Sequence, residues 1–198
     1  MTPLEIDGAW LASFPVWTDS RGTFREWFKS SEILKATGLD FSVNQSNISI
    51  SARGVVRGIH YSLAIGGQAK WITCVSGAIM DVIVDIREGS ATFGSYIAVD
   101  LEAGDGRAVL IAPGLGHGFI SLEDRTAVSY LLSTQYSPED EYEINPLDPT
   151  IGIDWRQNLF GESDLLISSK DSLAPTIDEL ERDRLLPIYG DNLFEKRS

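Results

Sequence analysis

Cysteine and histidine are scarce in this chain, which has one Cys and two His among 198 residues. A single cysteine, Cys74, excludes an intrachain disulfide and is typical of a protein in a reducing compartment. It lies in the apolar run 71–75, which predicts a small core residue rather than a nucleophile. The two histidines, His60 and His117, form no His-x-His motif, and two are too few for the three-histidine metal set of many β-barrels. We therefore predict a site without a metal ion.

Basic residues are also few, with 16 Lys and Arg against 29 Asp and Glu and a net charge of −13. This balance excludes a broad basic face for nucleic acid, so an anionic ligand would have to meet a local cluster of cations. No basic segment precedes an apolar run at the N-terminus, and no stretch approaches 18 apolar residues. The sequence therefore predicts neither a signal peptide nor a membrane span, and we expect a cytoplasmic protein.

Strand patterns dominate the middle of the chain. Residues 69–75, 78–86, 93–101 and 107–112 are rich in Val, Ile and aromatics and are separated by glycine turns. Strands at this spacing, with no helical period between them, predict an antiparallel sandwich or barrel. Short helices are predicted at 30–38, between Ser30 or Ser31 as N-cap and Gly38, and around 177–184. We expect one domain over 1–198, with N-terminal strands in 1–30, a barrel core in 41–135 and a packed tail in 155–198.

An arginine and a histidine lie three residues apart in the segment 54–61. Side chains alternate faces along a strand, so Arg57 and His60 share a face only if the backbone kinks between them. Gly58 permits a kink or bulge at this point. The segment is therefore either an edge strand with a solvated arginine or the wall of a cavity that holds a cation and an imidazole.

Polar side chains alternate with apolar ones in the segment 43–51. Gln45, Asn47, Ser49 and Ser51 share one face, which is either half solvated or a hydrogen-bonding wall for a polar ligand.

Three further strands carry candidate site residues. In 79–86, we expect Asp81 to face the barrel interior and Asp85, near the strand end, to be solvated. Glycines on both sides of His117 allow backbone or ligand to approach closely, which favours a site at the barrel mouth over a packed hairpin histidine. Tyr130, in the strand 126–132, is either a core residue or a site residue.

A series of motifs extends over nearly 190 residues. They are Asp19 with Arg21-Gly22, Phe24 and Glu26; Gln45-x-Asn47-x-Ser49; Arg57-Gly58-Ile59-His60-Tyr61; Gln68-Ala69-Lys70; the runs 81–87 and 89–94; Gly116-His117-Gly118-Phe119; Asp148-Pro149 with Asp154-Trp155; and Ser169-Lys170-Asp171 with Ala174-Pro175. In this order, these motifs resemble the dTDP-4-dehydrorhamnose 3,5-epimerase family. The resemblance implies a mainly β, cupin-type double-stranded β-helix (jelly-roll) barrel with short peripheral helices. It also implies a homodimer that acts on dTDP-4-dehydro-6-deoxyglucose without a cofactor.

The implied chemistry explains the residue types. Carbons 3 and 5 of the sugar flank the C4 ketone, so loss of either proton gives an enolate, and return of a proton to the opposite face inverts the centre. By resemblance His60 is the base, Asp171 orients its ring, Tyr130 is the acid and Lys70 lies near the C4 oxygen.

The resemblance also assigns a substrate-binding set. Arg57, Arg21 and Lys170 would hold the diphosphate, Gln45 and Asn47 would bind the ligand by hydrogen bonds, and Phe24 or Tyr136 would stack on thymine. His117 would contact the sugar or phosphate, and Glu26 and Glu141 match binding positions of the family. The N-terminal strands are exchanged between subunits in this family, so the neighbouring subunit is a candidate source of Arg21, Phe24 and Glu26.

Some positions depart from the usual pattern of the family: Ile59, Tyr61-Ser62 and Gly116. These variants resemble relatives that modify deoxysugars for antibiotics, some of which invert C3 or C5 alone. A mono-epimerase therefore stays open as an alternative, as do a 3,4-ketoisomerase of the same fold and a non-catalytic sugar-binding barrel.

Overall fold

Two six-stranded sheets face each other in the computed structural model, which describes residues 1–159 and 164–190. The predicted tail residues at 160–163 and 191–198 lie outside the described part. The strands are β1 (Thr2–Pro3), β2 (Ala9–Ser13), β3 (Val16–Asp19), β4 (Gly22–Arg25), β5 (Gln45–Ser51), β6 (Val55–Ser62), β7 (Lys70–Ser76), β8 (Ala78–Asp85), β9 (Tyr96–Glu102), β10 (Arg107–Ile111), β11 (Leu115–Ser121), β12 (Thr126–Leu132), β13 (Glu141–Glu143) and β14 (Leu166–Ile167). The helices are α1 (Ser30–Thr37), α2 (Ser169–Ser172) and α3 (Ile177–Arg182). None of these helices is long and apolar enough to cross a membrane.

The strands alternate between the sheets along most of the chain. One sheet has the order β1-β2-β10-β7-β12-β5, and the other has β13-β6-β11-β8-β9, with β14 parallel to β6. Strands β3 and β4 form a separate hairpin. Alternation of consecutive antiparallel strands between two facing sheets is the jelly-roll arrangement, and the predicted fold class is confirmed.

Apolar residues fill three layers. Side chains of both sheets, such as Ile72, Ile83 and Val109, form the layer between them. A second layer joins the outer face of the β8 sheet to the C-terminal segment, which contributes Trp155 and Leu180. A third lies between the other sheet and the region of α1. Because β8 is covered on both faces, all eight of its residues are buried.

Two local expectations were wrong. Asp85 is fully buried rather than solvated, because Arg87, Ser90 and Thr92 all donate hydrogen bonds to its carboxylate. Burial opposes ionisation of Asp85, but these hydrogen bonds outweigh it and lower its pKa. Helix α1 begins after Lys29 without a side-chain cap, so neither predicted serine caps it, whereas Gly38 ends it in the left-handed conformation as expected.

The predicted kink at Gly58 is confirmed. His117 pairs with His60 and Phe119 with Arg57, so β6 has one residue more than β11 between these pairs. This extra residue is a bulge, and Gly58 adopts a φ of 110° within it. The bulge turns Arg57 and His60 into the same cavity.

We expect Gly58→Ala to destabilise the fold by about 2 kcal/mol or more. The positive φ of Gly58 is unfavourable for alanine, and there is no room for a Cβ atom at this position. A Cβ at this position would lie 2.6 Å from the His117 carbonyl oxygen and 2.7 Å from the Cα of Gly118. Gly104→Ala is the matched control: its φ is 88°, and nothing lies within 4 Å of the added carbon. Equal losses in urea denaturation would show that φ alone, and not the close approach to β11, requires glycine here.

Candidate active site

A cavity of about 320 Å³ opens between the two sheets. This size is typical of a site that encloses a small organic ligand. Most of the residues that line it have polar or charged side chains, and both sheets contribute. The lining residues are Gln45, Asn47, Ile48, Ser49, Arg57, His60, Gln68, Lys70, His117, Phe119, Tyr130, Leu132, Tyr136, Glu141, Tyr142, Glu143 and Lys170.

Strand β5 turns its polar face to this cavity. The side chains of Gln45, Asn47 and Ser49 line it. Of the alternate residues, Ile50 is 62% exposed, and Ile48, which also borders the cavity, is 68% exposed. Of the two alternatives drawn from the sequence, the structure therefore supports the hydrogen-bonding wall. The same alternation leaves an apolar strip on the outer face of an edge strand.

His60 forms an imidazole–carboxylate pair with Asp171. Nε2 of His60 lies 2.8 Å from Oδ1 of Asp171, which is held in the short helix α2. Burial opposes ionisation of Asp171, but the hydrogen bond and charge of His60 outweigh it and lower its pKa. A carboxylate partner fixes the ring orientation and stabilises the imidazolium, so His60 is equipped to accept a proton in the cavity.

Tyr130 lies on β12, in the sheet opposite His60, and lines the same cavity. Its hydroxyl lies 3.2 Å from the hydroxyl of Ser49. Burial raises the pKa of Tyr130, so the phenol stays protonated at neutral pH and has a proton to give. A proton acceptor and a proton donor therefore stand on opposite walls.

Lys70 is a buried cation in the cavity wall. Its ammonium group donates a hydrogen bond of 3.1 Å to the carbonyl oxygen of His60. Burial lowers the pKa of Lys70 to about 8, although the negative charges of Glu141 and Asp81 act in the opposite direction. A fixed positive charge in a buried wall can stabilise an oxyanion.

His117 forms a second imidazole–carboxylate pair. Its Nε2 lies 2.7 Å from Oδ2 of Asp81, and Asp81 is fully buried, as predicted for an inward-facing residue. The His117 ring meets the Tyr130 ring edge to face, with 6.3 Å between centroids. His117 is thus part of the cavity wall and not only a packed hairpin residue.

The other candidates at the cavity lie around its mouth. Nε of Arg57 donates to the Ser51 hydroxyl over 3.1 Å. Lys170 pairs with Glu143 at 3.0 Å, and this contact raises the pKa of the lysine. Tyr136 is 58% exposed, with a ring free to meet a ligand.

Three predicted binding residues do not line the cavity: Arg21, Phe24 and Glu26. This holds for the cavity as formed by the described residues, 1–159 and 164–190. Arg21 and Phe24 lie on or beside the β3–β4 hairpin. Arg21 pairs with Asp19, and Phe24 contacts Trp17, with ring centroids 5.9 Å apart. Glu26 follows the hairpin and pairs with Lys29. Within one chain, the structure does not bring them to the other candidates.

Gln68 and Glu143 are polar residues at the cavity that the sequence did not indicate. The Gln68 amide donates to Glu141, which orients that carboxylate, and Glu143 holds Lys170. Gln68 lies in a motif that resembles the family but implies no role for it, and no local pattern indicates a role for Glu143. Within the described ranges, no group of three or more His, Cys, Asp or Glu side chains is arranged to hold a metal ion.

The sequence was compared with family models and with known proteins, and the matches agree with one another. The family model described as dTDP-4-dehydrorhamnose 3,5-epimerase matches residues 3–179. A dTDP-4-dehydro-6-deoxyglucose 3-epimerase of Streptomyces sp is 45% identical over 96% of this chain and 94% of the relative. A dTDP-4-dehydrorhamnose 3,5-epimerase of Mycolicibacterium smegmatis is 43% identical over 95% of this chain and 90% of the relative.

A solved structure is equally similar. It is the H60N/Y130F double mutant of ChmJ, a 3'-monoepimerase from Streptomyces bikiniensis, in complex with dTDP. The TM-score is 0.90 at 43% identity, and the alignment covers 96% of this chain and 93% of that one. With a family model that spans most of the chain and relatives this similar, the chain belongs to the dTDP-4-dehydrorhamnose 3,5-epimerase family.

Proposed function

We propose that this protein epimerises dTDP-4-dehydro-6-deoxy-D-glucose at C3 and C5, giving dTDP-4-dehydro-L-rhamnose for deoxysugar biosynthesis. The observation that carries the proposal is the placement of the His60–Asp171 pair and Tyr130 on opposite walls of one cavity. His60 takes the proton next to the C4 ketone, and Tyr130 returns a proton to the other face of the resulting enolate. Lys70 stabilises the enolate oxygen by its charge.

Substrate binding is proposed to use the remaining cavity residues. Arg57 and Lys170 supply positive charge for the diphosphate, and a guanidinium can bind two of its oxygens at once. Gln45, Asn47 and Glu141 offer hydrogen bonds, and Tyr136 stacks on thymine. The complex of ChmJ with dTDP supports a nucleotide site in this fold. The substrate is a soluble nucleotide sugar, and we propose that the protein acts in the cytoplasm.

The test is incubation with dTDP-4-dehydro-6-deoxy-D-glucose in heavy water, with NMR to identify the carbons that take up deuterium. Uptake with inversion at C3 and C5 is expected. Uptake at neither carbon would contradict the proposal and leave a binding protein, whereas a 3,4-ketoisomerase would move the carbonyl to C3 and place deuterium at C4.

Inversion at C3 alone is the second candidate, because a 3-epimerase and a 3,5-epimerase are almost equally identical to this chain. The unusual residues noted in the sequence do not distinguish the two. Ile59 and Tyr61 are fully buried in the layer under the C-terminal segment, and Gly116 packs against Ile59. These residues take part in core packing and do not line the described cavity. The same heavy-water experiment decides, because a 3-epimerase would leave C5 unlabelled.

The pKa of Lys70, about 8, predicts a pH effect. Burial lowers this pKa, so Lys70 is charged below pH 8 and neutral above it. The rate of deuterium uptake at saturating substrate should therefore fall as the pH rises through about 8. Lys70→Arg keeps its charge at higher pH, and the fall should disappear in this variant even if its plateau is lower. The same fall in Lys70→Arg would assign the titration to another group.

We propose a homodimer in which the β3–β4 hairpin of one subunit carries Arg21, Phe24 and Glu26 to the partner's cavity. The side chain of Arg21 is 88% exposed and Phe24 is 66% exposed, although both match binding positions of the family. The apolar outer strip of edge strand β5 offers further contact area for a second copy.

Mixing two inactive variants tests the exchange. A dimer of His60→Asn and Arg21→Ala chains contains one intact site only if Arg21 acts in the partner's cavity. Co-refolded variants should then recover about one quarter of the wild-type activity, since half of randomly formed dimers are mixed. If Arg21 serves its own chain, no mixture recovers activity.

A further inference from the structure

Asp81 is a buried carboxylate with one oxygen that accepts no hydrogen bond from the described residues. It is fully buried, its Oδ2 contacts Nε2 of His117, and its Oδ1 has no hydrogen-bond partner. Burying a carboxylate is unfavourable unless a cation lies close to it. Lys70 is near enough to feel its charge but makes no hydrogen bond with it, since its ammonium group contacts the His60 carbonyl. The group in direct contact is the imidazole of His117, whose Nε2 lies 2.7 Å from Oδ2.

The second ring nitrogen of His117 faces a possible ligand. Nε2 is used by Asp81, and Nδ1 has no hydrogen bond to residues 1–159 or 164–190, whereas the side chain lines the cavity. The cavity also needs further donors for an anion. Three cations, Arg57, Lys70 and Lys170, and two carboxylates, Glu141 and Glu143, line it. A third carboxylate, Asp81, is buried next to His117, and the proposed ligand carries a diphosphate and develops an enolate.

The position of His117 points to the sugar rather than to the phosphates. It is the register partner of His60 across β6 and β11, and its ring contacts Tyr130. It therefore lies between the proposed base and the proposed acid, which must approach opposite faces of the reacting carbons. The C4 carbonyl is bonded to both of these carbons, so its oxygen lies within the same part of the cavity.

We infer that His117, held in place by its contact with Asp81, donates a hydrogen bond from Nδ1 to the C4 oxygen and stabilises the enolate together with Lys70. In this step His60 takes the carbon-bound proton, the electron pair moves onto the C4 oxygen, and Nδ1–H of His117 holds that oxygen without transferring its proton. Reprotonation of carbon by Tyr130 returns the pair to the carbon. His117 is a catalytic residue in this scheme, and Asp81 is a positioning residue.

The inference rests on the proposed epimerase function, and one assay separates the two. Deuterium uptake from heavy water is measured at saturating dTDP-4-dehydro-6-deoxy-D-glucose for the wild type, His117→Gln and Asp81→Asn, and dTDP binding is measured by calorimetry. The enolate oxygen is shared by all exchanging carbons, so His117→Gln should slow uptake at each of them by the same factor, about 100-fold. Asp81→Asn should slow uptake about 10-fold or more through the loss of the carboxylate that orients the His117 ring. Both variants should bind dTDP within about threefold of the wild type, because dTDP has no sugar carbonyl.

Asp85→Asn is the matched control. Asp85 is also fully buried on the inward face of β8, but its carboxylate binds Arg87 and does not line the cavity. This variant should lower the melting temperature and leave the uptake rate at the wild-type value. If Asp85→Asn does not fold, the comparison of uptake with dTDP affinity in Asp81→Asn still tests the inference.

Three results would overturn the inference. Weaker dTDP binding with unchanged uptake would make His117 a phosphate contact. Slowing at one carbon alone would make it a proton carrier for that centre. Wild-type uptake and affinity in both variants would make the pair a packing element. Absence of uptake in the wild type would instead refute the proposed function itself.

Discussion

Replacing His60 with glutamine is expected to slow proton exchange at every carbon by about 1000-fold or more, because the proposed reaction cannot begin without a base. Glutamine keeps a polar side chain of similar length but accepts no proton at neutral pH. The dTDP moiety is held by other side chains, such as Arg57 and Tyr136, so its affinity should stay within about threefold of the wild type. Deuterium uptake followed by NMR and dTDP binding followed by calorimetry measure the two effects separately.

Asp171→Asn complements this experiment. Asparagine keeps the size of the side chain but removes the charge that stabilises the imidazolium, so uptake should fall by about 10- to 1000-fold, less than in His60→Gln. The His60–Asp171 contact of 2.8 Å is the basis for this expectation. Wild-type uptake in His60→Gln would transfer the role of base to another group, and a normal rate in Asp171→Asn would remove the carboxylate from the pair.

Features fixed by neighbouring residues could be predicted from the sequence. Gly58 between Arg57 and His60 indicated the bulge, because only a kink gives these two side chains one face. The alternation at 45–51 defined the polar face of β5. It did not determine which way this face points, because that depends on the facing sheet.

Features that depend on strand register could not be predicted from the residues alone. His117 and Asp81 are 36 residues apart in the chain and meet because Phe119 pairs with Asp81 across β11 and β8, which brings His117 diagonally next to it. The burial of Asp85 could have been predicted from its neighbours. Arg87, Ser90 and Thr92 follow it within seven residues and all donate hydrogen bonds to its carboxylate. The His60–Asp171 pair spans 111 residues and was proposed from family resemblance, not from spacing.

Tyr130→Phe is expected to separate proton removal from inversion. An acid is needed to return a proton to the second face but not to take one from the first, so uptake on the His60 side should continue while inversion falls by about 100-fold or more. The signature is a sugar that carries deuterium with its original configuration. The hydroxyl contacts Ser49 at 3.2 Å, and the loss of one such hydrogen bond should change the free energy of unfolding by about 1 kcal/mol.

Tyr61→Phe provides the control for the loss of a buried tyrosine hydroxyl. Tyr61 is fully buried, and its hydroxyl donates to the Leu185 carbonyl oxygen over 2.9 Å, away from the described cavity wall. Its stability should fall by a similar amount, about 1 kcal/mol, with uptake and inversion unchanged. If Tyr130→Phe behaves like this control and inverts at the wild-type rate, Tyr130 is a packing residue and the proton must come from elsewhere. Tyr136 at the cavity mouth is then the first alternative donor, because its phenol is the next one that lines the cavity along the chain and it is exposed enough to exchange its proton with solvent.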